Sequence, residues 1–136
     1  MKTALRWLDG AVFLCLASLV FAQWPWDTRH AIGFAISACC FAFWMTARVQ
    51  LGRSFSVGAE AKKLVTRGIY SRIRHPVYVF GTGAYAGVVI AWNHPIGYAL
   101  LACAIALQLW RIRNEDAVLD RAFGEDYRRY RARTWF

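Results

Sequence analysis

Negative charge is what this 136-residue sequence has least of. Eight Asp and Glu stand against seventeen Lys and Arg, giving a formal net charge of +9. Charged residues make up only 18% of the chain, where soluble domains carry roughly a quarter. Hydrophobic residues make up 58% and aromatics 16%. A chain this short cannot bury that much apolar surface in its own core, so the composition excludes an ordinary soluble domain and calls for a membrane protein. On a soluble chain the basic excess would point to nucleic acid. Here the basic residues sit at the ends of apolar segments, where a membrane protein places them, so the expected partner is the lipid bilayer and no nucleic acid. Cysteine is also sparse. Cys15, Cys39, Cys40 and Cys103 lie inside apolar segments, without a Cys-x-x-Cys and without a histidine at metal-ligand spacing. No metal site is expected, and the cysteines read as small buried hydrophobes.

The sequence predicts one all-α domain over residues 1–136 with four transmembrane helices at about 10–26, 31–47, 77–92 and 95–110. These segments are short beside the roughly 20 residues that usually span. Lys2 and Arg6 before the first segment also suit a cleaved signal peptide. Phe21 and Trp24-Pro25-Trp26 favour a retained helix ending in an interfacial aromatic belt. The cytoplasmic connector, 48–76, is basic and broken by Gly52, Gly58 and Gly68. Asn93-His94-Pro95 predicts a tight turn between the last two spans. Gly83-x-x-x-Gly87 makes a small-residue face that admits another helix or a ligand. The tail, 111–133, repeats Leu119, Phe123, Tyr127 and Tyr130 at helical spacing and predicts an amphipathic C-terminal helix at the membrane surface. With four spans, sixteen of the seventeen Lys and Arg fall on one side and only Arg29 on the other. The positive-inside rule then makes that side cytoplasmic, with both termini, the connector and the tail on it.

Chemistry concentrates on that face. His75-Pro76 predicts a helix start, because proline suits the first helical position and pushes the residue before it out of helical geometry. A helix N-terminus attracts anions, and Arg72 and Arg74 stand beside it. Binding of lipid head groups explains the same arginines. Tyr70 and Tyr78 flank the turn; they suit an interface and equally a pocket whose aromatic faces hold a cation such as a sulfonium. Arg111 and Glu115, four apart, share a helix face. They make either an i,i+4 ion pair or a site in which the arginine holds an anionic substrate group and the glutamate accepts hydrogen bonds.

Four motifs in order, Leu64-Val65-Thr66-x-Gly68-x-Tyr70, Arg74-His75-Pro76-x-Tyr78, Arg111-x-x-x-Glu115 and Phe123-Gly124-x-x-Tyr127-x-x-Tyr130, resemble the isoprenylcysteine carboxyl methyltransferase family. That family belongs to a wider group of integral membrane methyltransferases that includes phospholipid N-methyltransferases. The resemblance covers residues 62 to 133 and implies S-adenosylmethionine as methyl donor, held at the cytoplasmic face. It implies that Leu64, Val65, Tyr70, His75, Pro76, Val77, Tyr78 and Glu115 line the cofactor site and that Arg111 touches the carboxylate of a hydrophobic, membrane-embedded acceptor. Arg111 and Glu115 are thereby the expected catalytic pair. Lys62 stands where some relatives have histidine, Glu60 near a glutamine of relatives, and Glu115-Asp116 where relatives often carry paired glutamates. An amine or a small thiol as acceptor fits the same motifs, and a non-enzymatic module binding anionic lipid or a partner through its basic face fits the charge.

Overall fold

A computed structural model describes residues 8–23, 26–51 and 64–135. Its helices are α1 (Leu8–Phe21), α2 (Thr28–Leu51), α3 (Pro76–Trp92), α4 (Pro95–Phe123) and α5 (Glu125–Arg133), with one turn of 3₁₀ helix at Gly68–Ser71 before α3. Among the described residues there is no sheet, only an isolated parallel bridge between Ile73 and Trp135. The expected roles of Lys62 and Glu60 lie outside the described residues, as do Trp24 and Pro25 of the aromatic belt.

The pairing of α2 with α3 is the backbone of the fold, and small residues set it. A Cβ on Gly87 would stand 2.6 Å from the Ser37 nitrogen, and one on Gly33 would stand 2.5 Å from the Gly87 carbonyl oxygen. Ser37 donates from Oγ to the Ala84 carbonyl at 2.8 Å, inside the interface. Two backbones approach this closely only where both sides lack bulk. The small-residue face of α3 is therefore taken by a helix: Gly87 meets Gly33 and Ser37, and Gly83 meets Cys40. Phe13 of α1 packs onto the same seam, stacked on Phe41 at 4.9 Å and edge-on to Tyr85 at 5.2 Å, beside buried Ala84 and Val88.

Turn chemistry fixes the α3–α4 hairpin. Asn93 takes the left-handed conformation (φ 49°, ψ 43°) and donates its N–H back to Val89 at the end of α3. His94 accepts from the Ile96 N–H at 3.3 Å, and Pro95 opens α4.

Three helices differ in their bounds from those expected. α2 runs from Thr28 to Leu51 rather than over 31–47, taking the first residues of the expected connector. α1 ends at Phe21, not Trp26. No boundary appears at Trp110: α4 runs on for 29 residues to Phe123, because Arg111 to Asp120 holds no glycine or proline and a change from apolar to charged residues does not break a backbone. The break comes at Gly124, whose φ of 51° and ψ of −119° suit glycine alone. The periodicity across Phe123 and Tyr127 thus belongs to two helices rather than one helix over 111–133.

By length and composition α2 and α4 can each cross a membrane, and α1 and α3 are shorter apolar helices. Leu14, Leu19, Ile32, Phe43, Leu100, Leu107 and Trp110 are exposed on the helices. A surface this apolar marks a membrane-associated protein. The cysteines correct the expectation set for them: Cys15, Cys39 and Cys103 are exposed and Cys40 half-buried. In lipid an outward thiol meets surroundings as apolar as a core, so an apolar segment does not by itself place a cysteine inside.

Candidate functional site

The basic loop before α3 is held from three directions. From α2, Gln50 Oε1 accepts from the Ile69 N–H at 2.9 Å. Gly68, with φ 64°, lets the chain turn against that side chain. From α5, the Tyr130 hydroxyl donates to the Tyr70 carbonyl at 2.7 Å, inside the protein. From the C-terminal segment, Trp135 donates to the Arg72 carbonyl at 2.7 Å and accepts from the Arg74 N–H at 3.0 Å.

These ties deliver His75 and Pro76 as N-cap and first residue of α3, both buried. His75 makes no side-chain cap to the helix. Its ring turns instead to α4, with Nε2 2.7 Å from Asp116 Oδ1 and Nδ1 3.9 Å from Glu115 Oε2. Asp116 also accepts from the Tyr127 hydroxyl, and the Arg74 guanidinium lies 3.4 Å from its other oxygen. One carboxylate thus joins the loop, the start of α3 and α5. Asp116 was not among the expected site residues; its signal was the pairing of two acids at 115 and 116. Burial raises the Tyr127 phenol well above the usual tyrosine range, and its bond to Asp116 adds to that. Burial pushes Tyr130 up to about 12.

Glu115, one residue away, approaches the other nitrogen of the His75 ring and is more exposed than Asp116. It acts electrostatically on both Tyr70 and Tyr78, and Arg111 acts on Tyr78. Tyr70, His75, Tyr78, Arg111 and Glu115, drawn from two stretches of sequence, therefore meet at the junction of the loop, α3 and α4. Pro76 and Val77 begin α3, and Leu64 and Val65 lie half-buried in the irregular segment leading into the 3₁₀ turn. Arg111 and Glu115 form no ion pair with each other among the described residues, so neither is spent on the other.

Two buried polar atoms here have no hydrogen-bond partner among the described residues, the Tyr70 hydroxyl and Arg74 Nε. Tyr70 is only 6% exposed. Burial, with Glu115 nearby, raises its phenol well above the ordinary range, keeping it a neutral donor. A buried hydroxyl without a partner costs about 1–3 kcal/mol and marks a place where a polar ligand would be welcome. The site offers that donor, a helix N-terminus, aromatic faces and the half-exposed Glu115 carboxylate, which Tyr78 and His75 approach, and this suits a small zwitterionic cation with hydroxyl groups.

Protein-S-isoprenylcysteine O-methyltransferase of Schizosaccharomyces pombe is 36% identical to the chain over 96 residues, covering 63% of the chain and 39% of that protein. The chain thus spans well under half the length of this relative. No solved structure matches. Residues 28–126 match the Phospholipid methyltransferase family, a stretch that runs from the start of α2 into α5 and contains every residue of the site from Leu64 to Asp116, and on that match the chain belongs to the phospholipid methyltransferase family.

Proposed function

We propose that the protein transfers a methyl group from S-adenosylmethionine to a hydrophobic, membrane-embedded acceptor, with a carboxylate as the accepting group. The observation that carries this reading is the convergence of Tyr70, His75, Tyr78 and Glu115 around a buried hydroxyl that lacks a partner. All four helices α1 to α4 span in this reading. Both termini, the connector and the site then face the cytoplasm, where the soluble cofactor is, as the distribution of basic residues favours.

Leu64, Val65, Tyr70, His75, Pro76, Val77, Tyr78 and Glu115 hold the cofactor, which supplies an electrophilic methyl on a sulfonium. The Tyr70 hydroxyl donates to it, Glu115 accepts from its hydroxyls or ammonium, and the aromatic faces of Tyr70 and Tyr78 flank the cation. The open end of α3 suits its carboxylate. Arg111 holds the acceptor carboxylate by its planar fork. A carboxylate is already ionised at neutral pH, so the reaction asks for alignment more than for a base. Asp116 and Tyr127 keep His75 in place and touch neither reactant. An amine acceptor would have to lose a proton first, and Arg111 disfavours a cationic head.

The test is methyl transfer from labelled S-adenosylmethionine by the protein in nanodiscs, offered a prenylated cysteine acid, a phosphatidylethanolamine and a small thiol. Label in an alkali-labile methyl ester is expected. Label only in the amine or the thiol moves the acceptor to that class, and label in none of the three overturns the reading.

A further inference from the structure

α2 brings a cationic side chain to the site from a stretch that lies outside the four sequence motifs. Two contacts set the height of its last turns. Trp44 is buried against α3, where a Cβ on Gly81 would stand 3.3 Å from the indole Cδ1. Gln50 accepts from the Ile69 N–H at 2.9 Å. Gly81 stands three residues after Tyr78, and Ile69 immediately precedes Tyr70. Arg48 lies between Trp44 and Gln50, so it enters at the level of those two tyrosines. It shares a helix face with Trp44 at i,i+4, and its guanidinium carbon lies 4.6 Å from the centre of the indole ring. Its charge acts on both phenols, that of Tyr70 and that of Tyr78. Arg111 acts on Tyr78 from α4. α2 and α4 each pack against α3, so two arginines reach the tyrosine pair from two different helices.

We propose that Arg48 holds the carboxylate of the cofactor's methionine moiety. The inference rests on the methyl-transfer reading, in which Tyr70 and Tyr78 flank the sulfonium and Arg111 holds the acceptor. That reaction brings two carboxylates to one site, and one planar fork grips one carboxylate. Arg111 is taken by the acceptor. Arg48 stands on the side of Tyr70, which is the side of the cofactor. The indole beneath it prepares it for this work. Stacking on Trp44 fixes the plane of the guanidinium, and the attraction of the ring face for a cation holds it there while the N–H groups at its edge point outward. A guanidinium carries five N–H donors, so it can serve neighbouring protein groups and still make a two-point contact with a carboxylate. The charge of the carboxylate is then balanced where the sulfonium is bound, and the methionine end of the cofactor is pinned on the α2 side.

The test is calorimetry in nanodiscs with two ligands, S-adenosylhomocysteine and its decarboxylated analogue, which keeps the adenosine, the sulfur and the amine. The ratio of the two affinities, compared between native protein and variant, isolates the carboxylate from any general effect of the substitution. The native protein is expected to favour S-adenosylhomocysteine about tenfold or more, as a hydrogen bond between charged groups implies. Arg48→Gln is expected to lose most of that preference while binding the analogue at least as well as the native protein. Arg48→Lys keeps the charge without the fork and is expected to keep part of the preference. A purely structural Arg48, stacked on Trp44 at the end of a helix, supports both ligands alike. Equal weakening of the two in Arg48→Gln therefore overturns the proposal, and so does a preference that survives in full or a native protein indifferent to the carboxylate. Should Arg48→Gln not fold, Arg48→Lys decides by the same ratio, and an undiminished preference overturns the proposal. Binding of both ligands without an effect of Arg48 leaves the cofactor site standing. No heat from the native protein with either ligand overturns the reading beneath it.

Discussion

Asp116→Ala is the substitution whose cost the structure defines best. Its carboxylate serves His75 Nε2 at 2.7 Å, the Tyr127 hydroxyl, and Arg74 at 3.4 Å. His75 is 4% exposed and Tyr127 1% exposed, so neither donor finds water when the carboxylate goes. Each orphaned buried donor costs about 1–3 kcal/mol. The pair together then costs about 2–6 kcal/mol, with Arg74 adding little at its distance. Asp116→Asn keeps an oxygen for His75 and Tyr127 but turns an N–H₂ toward Arg74, and about 1–2 kcal/mol is expected. The loss is spatially specific, because Asp116 ties α5 to the start of α3. Thermal unfolding of the purified protein should fall in the order native, Asn, Ala. Trypsin should cut at Arg128, Arg129 and Arg131 of α5 faster in the same order. If Asp116→Ala melts and resists trypsin like the native protein, α5 is held by something else and the latch is wrong.

Further expectations follow from single groups. Tyr70→Phe removes a buried hydroxyl without a partner; the free protein should gain about 1 kcal/mol in unfolding while its affinity for S-adenosylhomocysteine falls, and an unchanged affinity would separate Tyr70 from the cofactor. Gly124→Ala puts a side chain at φ 51° and ψ −119° with nothing within 4 Å of the new Cβ, so the cost is backbone strain alone, about 1–3 kcal/mol, read as a lower melting temperature and quicker trypsin cleavage in α5. Burial raises the folded pKa of Tyr130 from 10.0 to about 12, and Tyr70 and Tyr127 shift in the same direction. The stability this contributes is whole below pH 10 and is lost as pH rises through the folded values, by up to about 1.4 kcal/mol per pH unit for each tyrosine. Melting curves from pH 9 upward, read beside tyrosinate absorbance, should show the two changing together.

What the sequence made legible was what local chemistry decides. Pro76 and Pro95 open helices as their fixed φ requires, and Asn93 turns the hairpin by a conformation asparagine tolerates. Tyr70, His75, Tyr78, Arg111 and Glu115 could be named as candidates from motif and spacing, and the fold brings them together. What stayed hidden depends on contacts distant in sequence. Asp116 reads as a solvated residue of a charged tail and becomes half-buried only when His75 arrives from 41 residues away. The glycine face of α3 did not reveal its occupant, which Gly33 and Ser37 of α2 decide. The passage of α4 beyond Trp110 was hidden because hydropathy changes there and helix propensity does not.

The central claim is that Tyr70, His75, Tyr78 and Glu115 form a cofactor site. Calorimetric titration of the purified protein with S-adenosylhomocysteine, repeated with Glu115→Gln, tests it most directly. Saturable binding to the native protein is predicted, weakened about tenfold or more in Glu115→Gln, as loss of a hydrogen bond to a charged group implies. No binding by the native protein, or equal binding by both, would contradict it.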